Sequence, residues 1–96
     1  MDRTIFRIYP DGEVIALFPR IAGSVDGGLC ESYMHTGQHS PATPQLVVNR
    51  TKLATPKEYK ELFTELEQIG YNPQPAKRFT VKDFEIRKAQ YRAEYH

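Results

Sequence analysis

The chain has 96 residues, 40% hydrophobic and 26% charged, with 13 basic against 12 acidic side chains and a net charge of +1. Five Phe, six Tyr and many Ile, Leu and Val exclude wholesale disorder, and the length fits one domain over 1–96, with 80–96 able to sit at its periphery. The near-neutral balance excludes a global field that would attract a polyanion, and the single cysteine excludes an internal disulfide.

Residues 3–9, RTIFRIY, alternate as a strand does: Thr4, Phe6 and Ile8 share one face, and Arg3, Ile5, Arg7 and Tyr9 share the other. Asp11-Gly12 between two β-prone runs predicts a hairpin. Residues 14–18, VIALF, are apolar on both faces and read as a central strand, ended by Pro19. The glycines at 23, 27 and 28 predict a loop over 20–31. SYMHT, 32–36, predicts a short strand, with Gly37 set for a turn; HSPATPQ then predicts a break, because Pro41 and Pro44 lack amide donors. LVVNRTKLA, 46–54, reads as a further strand on its β-branched residues.

The clearest element follows. Thr55, Pro56 and Glu58 supply a cap, a first helical residue and the acidic half of a capping box. Tyr59, Leu62, Phe63, Leu66 and Ile69 form one helical stripe, and Gly70 suits a left-handed terminus, so a helix is predicted over 56–69. Pro73 and Pro75 allow at best an edge strand in 71–79. Thr80 and Asp83 open a second helix, 81–95, which is only weakly amphipathic. Strands grouped before helices predict an α+β fold: a mainly antiparallel sheet of about four strands, with helix 56–69 packed on a face and a second, C-terminal helix. Within the core, Leu62, Phe63 and Leu66 should meet Phe6, Ile8 and the 14–18 strand. Early charges leave no room for the apolar core of a signal peptide, and no long apolar run occurs, so a cytoplasmic chain with no membrane span is expected.

The stretch SYMHTGQHS concentrates hydrogen-bonding groups. Cys30, His35 and His39 are suitable zinc ligands, but the second cysteine of a zinc-finger half is missing, and Gly37 with the nearby prolines forbids the helical face that unites an i, i+4 histidine pair. No metal and no cofactor is expected. Catalysis is not expected either. Glu31 beside Cys30 raises a thiol's pKa, and GSVDGG lacks the Lys-Ser/Thr that completes a phosphate loop. The favoured reading is a loop that satisfies backbone groups over the sheet; a binding loop of Tyr33, His35, Gln38 and His39 is the next. Extended geometry puts Tyr33 and His35 on one side and Met34 and Thr36 on the other, with Met34 toward the core and Tyr33 and His35 on an outer or loop-covered face.

VIALFPRI, ESYMHTGQHS and ATPKEYKELFTELEQIGY together resemble small proteins of bacterial phages and plasmids whose pattern runs ALFP, SYxHxGQH, a TPxEY helix and IGY. The matching residues are Ala16 to Pro19, Ser32, Tyr33, His35, Gly37 to His39, Thr55, Pro56, Glu58, Tyr59 and Ile69 to Tyr71, within about residues 3–72. The resemblance implies a mobile-element accessory role in the cytoplasm and no assigned activity.

Three functions compete. The first is non-catalytic binding of a protein partner, such as a host or defence component that the chain would inhibit, with Tyr33, Tyr91 and Tyr95 as anchors. The second is nucleic-acid binding by the basic C-terminal third, where Lys82, Lys88 and Arg92 interleave with Tyr91 and Tyr95. The third is nucleotide or small-molecule sequestration, with 23–39 as a pocket wall.

Overall fold

A computed structural model describes residues 2–23, 28–35 and 38–95, with the backbone alone for 38–40 and 91–95. In chain order the elements are β1 (Asp2–Ile8), β2 (Val14–Ala22), β3 (Cys30–Met34), β4 (Gln38–Ala42), α1 (Pro44–Arg50), β5 (Lys52–Leu53), α2 (Pro56–Gln68), β6 (Pro73–Ala76) and α3 (Val81–Tyr95). The fold is α+β. Among the described residues one sheet of six strands runs in the order β4-β3-β2-β1-β5, and β6 also pairs with β1. All pairings are antiparallel except β1 with β6, which is parallel. The expected four or so strands and two helices therefore become six strands and three helices among these residues.

The predicted hairpin joins β1 to β2, with Tyr9 N donating to Glu13 O at 2.8 Å and Gly12 at φ +94°, a conformation glycine adopts without a Cβ penalty. Helix α2 forms as its sequence predicts. Thr55 Oγ1 accepts from Glu58 N, Glu58 Oε1 accepts from Thr55 N, and Gly70 takes the positive φ. Its apolar stripe packs on the sheet as expected: Leu62 and Leu66 are buried with Phe6, Ala16 and Phe18, while Ile8 and Phe63 flank the cluster. Full burial of each leucine contributes about 1.5–3 kcal/mol. The Tyr59 ring stacks on Phe6 at 4.2 Å and the Tyr71 ring on Phe18 at 4.8 Å.

Three expectations about individual segments fail. Pro19 does not end β2. It lies buried within the strand, and the β2–β3 register shifts between Phe18 and Ala22, so the strand extends into the segment expected to be a loop. Residues 46–54 are not a strand. Pro44–Arg50 is helix α1, with Pro44 in its first turn, Val47 in the core and Arg7 bonding the carbonyls of Val48 and Thr51 at its end, and only Lys52–Leu53 pairs with β1. The expected break at Pro41 is strand β4, which tolerates a proline because it is the sheet's edge. The expected turn at Gly37 lies outside the described residues.

The sheet is covered on both faces. Ile5, Ile15, Leu17, Cys30 and Ala42 form a second core beneath Val47 of α1. Helix α3 docks on β2 through a polar stripe. Asp83 is fully buried and Arg87 almost so. Arg87 Nη1 donates to Pro19 O at 2.6 Å, and Gln90 Oε1 accepts from Ala22 N at 2.6 Å. These contacts satisfy backbone groups at the register shift in β2.

Candidate functional site

Two residues of the motif SYMHTGQHS, Tyr33 and His35, meet one carboxylate that lies outside it. Tyr33, in mid-β3, is 3% exposed and projects into the core between the sheet and α2. Its hydroxyl donates to Glu65 Oε1 at 2.5 Å. His35, just past the strand, approaches Glu65 Oε2 with Nδ1 at 2.8 Å. An ionised carboxylate only accepts, so Nδ1 carries the proton and Nε2 points elsewhere. The bonds from Tyr33 and then His35 hold the Glu65 carboxyl below its ordinary pKa, and the bond to Glu65 raises that of the Tyr33 hydroxyl.

Tyr33 and His35 thus share a side of β3, as alternation requires, but Tyr33 does not lie on an outer face. It belongs to the core, and the helix fills the place assigned to a covering loop. Met34 points to the opposite core, as expected. Register pairs Tyr33 with His39 and Met34 with Gln38 across β3 and β4. The side chains of Gln38 and His39 lie outside the described residues. The outer side of His35, whose side chain is 71% exposed, opens with Lys60, Glu61, Thr64 and Gln68 onto a shallow concavity of about 730 Å³.

Cys30 and His35 do not converge. Cys30 is buried in the core beneath α1, whereas His35 meets α2 on the other side of the sheet. Burial, above all, pushes the Cys30 thiol up to about 11. Among the described residues no three His, Cys, Asp or Glu side chains gather around a common point that a metal ion could occupy.

On α3, Lys82 is exposed and Lys88 places Nζ 5.2 Å from the centroid of the Phe84 ring, itself 43% exposed. The side chains of Tyr91, Arg92 and Tyr95 lie outside the described residues. Sequence reasoning passed over the acids at the centre of both arrangements. Glu65 lies off the apolar α2 stripe and drew no notice, and Asp83 counted only as a capping partner. Asp83 Oδ1 also meets Arg3 Nε at 2.8 Å and Arg20 Nε at 2.7 Å. The spacing of Asp83, Arg87 and Gln90, a helical stripe of polar groups, was the signal available.

Two further concavities flank the outer edge of β1. That edge is divided: β6 pairs in parallel with Asp2–Ile5, β5 pairs antiparallel with Arg7 and Ile8, and between them Ala54 N donates to Phe6 O at 3.0 Å. On the α2 side a cleft of about 290 Å³ is lined by Phe6, Leu53, Tyr59, Pro75 and Lys77. On the other side one of about 210 Å³ is lined by Ile5, Val48, Phe79, Arg7, Lys77 and Arg78.

No protein-family model, curated protein or solved structure matches the chain. Among the described residues no helix is long and apolar enough to cross a membrane.

Proposed function

We infer that this chain is a non-catalytic accessory protein that acts by binding a protein partner. The phage and plasmid resemblance suggests a host or defence component as that partner, met in the cytoplasm. The observation that carries the reading is the convergence of Tyr33 and His35 on Glu65. Both polar groups hold β3 to α2, and they present His35, Thr64 and Gln68 at the rim of an open concavity. A rigid scaffold beneath an exposed polar rim suits recognition.

The test is a pull-down from host lysate with wild type and a Thr64→Arg, Gln68→Arg double variant, both checked for folding. A retained protein lost with the double variant supports the reading. A co-purifying nucleotide with no retained protein overturns it in favour of sequestration. Nucleic-acid binding is the second reading, favoured by Phe84 with Lys88 over its ring and Lys82 nearby in sequence. Its mark is a gel shift that weakens steeply as salt rises and disappears in Lys82→Glu, Lys88→Glu.

A further inference from the structure

We propose that the divided edge of β1 is a second binding site, for an extended acidic peptide segment carrying an aromatic side chain. The two flanking clefts lie on opposite faces of the sheet, since Phe6 and Tyr59 line one and Ile5 and Val48 the other, and Lys77 lines both. Each has an apolar floor, and among the described residues neither lining contains a carboxylate. The cations do not have equal freedom. Arg7 donates from Nε to Thr51 Oγ1 and from Nη2 to Val48 O and Thr51 O, so it closes the end of α1. Lys77 and Arg78 are exposed, and neither has an ion-pair partner among the described residues. A partner therefore finds two available positive charges beside apolar floors.

Size and placement select the occupant. Pockets for whole small molecules hold about 300–1,000 Å³. Clefts of about 290 and 210 Å³ lie at and below the lower end of that range, and each has room for one large side chain or a small compact ligand. A compact ligand fills only one of them. An extended chain that turns round the edge at Lys77 reaches both, seating its aromatic ring beside Phe6 and Tyr59 and its carboxylates on Lys77 and Arg78. This goes beyond the partner reading above. Among the described residues the lining of these clefts shares no residue with the concavity beside His35, so the two sites respond to different substitutions.

The probe is a fluorescein-labelled synthetic peptide carrying a Phe followed by a run of Glu, titrated by anisotropy against the whole chain. Binding is expected to weaken about tenfold or more in Lys77→Glu, Arg78→Glu, and also with rising salt. The apolar half is read by Leu53→Ser and by a Phe→Ala peptide, each of which lowers affinity. Thr64→Arg, Gln68→Arg leaves it unchanged, so failure here is separable from failure of the first reading. Equal affinity for a peptide with Lys in place of Glu overturns the proposal, as does unchanged binding by the charge-reversed variant. Displacement of the peptide by a single-stranded oligonucleotide of higher affinity also overturns it and assigns the edge to nucleic acid.

Discussion

Tyr33 is a core residue that reaches an ion: it is 3% exposed, yet its hydroxyl donates to the Glu65 carboxylate at 2.5 Å. The two roles separate by substitution. Tyr33→Phe keeps the ring and removes a bond to a charged group, for an expected loss of about 1.5–3 kcal/mol. Tyr33→Ala removes the ring as well and should cost about 3–5 kcal/mol, so it reports on folding before recognition. His35→Asn, at an exposed position, should cost less than about 1 kcal/mol. Urea midpoints for the three variants provide the check, and a neutral Tyr33→Ala contradicts this packing.

Asp83 should make the docking of α3 sensitive to acid. Burial is the largest influence and raises its pKa, but bonds from Arg20, Thr80 and Arg3 together outweigh it, and the net shift is downward. A carboxyl depressed in the folded state stabilises fully above its unfolded pKa and loses that contribution as pH falls through the folded value. Glu65 is shifted in the same direction and adds to the effect. Stability should therefore decline below about pH 4. Asp83→Asn should lose about 2–4 kcal/mol at neutral pH, because Arg3 and Arg20 lose their counter-charge, and should show a shallower acid slope. Urea titrations at several pH values measure both, and an unchanged slope rejects the assignment.

Cys30 should be chemically quiet. With its thiol pushed up to about 11, only ~0.1% is thiolate at pH 8. Alkylation of the native chain should be slower than in urea by orders of magnitude. Comparable rates in the two conditions rule out a buried Cys30.

The sequence made legible what local rules control. The capping box at Thr55 and Glu58, the α2 stripe and the Asp11-Gly12 hairpin each rest on residues a few positions apart. It misled where a distant partner decides. Val47 and Val48 favour a strand by propensity, but a core position for Val47, with Arg7 bonding the carbonyls of Val48 and Thr51, holds them in a helix. Pro19 stays within a strand because Arg87, 68 positions later, binds its carbonyl. The α3 helix looked weakly amphipathic because its docking stripe is polar while Val81 and Phe84 are exposed. The motif pointed to Tyr33 and His35 but not to Glu65, which only the fold brings to them.

Gly23 provides the most local test of the β2–β3 irregularity. Its N–H donates to Leu29 O at 3.0 Å, and a Cβ there would lie 2.5 Å from Cys30 O and 2.7 Å from Cys30 C. Both are backbone atoms, so no side chain can move aside. Gly23→Ala must push β3 away from β2, at an expected cost of about 2–3 kcal/mol. Gly12→Ala is the contrast. Among the described residues a Cβ at Gly12 meets nothing within 4 Å, and the strain is that of the positive φ, for about 1 kcal/mol. Hydrogen exchange distinguishes the two mechanisms. Gly23→Ala should expose the amide of Ala22, which donates to Gln90 on α3, and loosen that helix, whereas Gly12→Ala should affect only the hairpin tip. If Gly23→Ala retains full protection at Ala22, the close approach of β2 to β3 at this point is wrong.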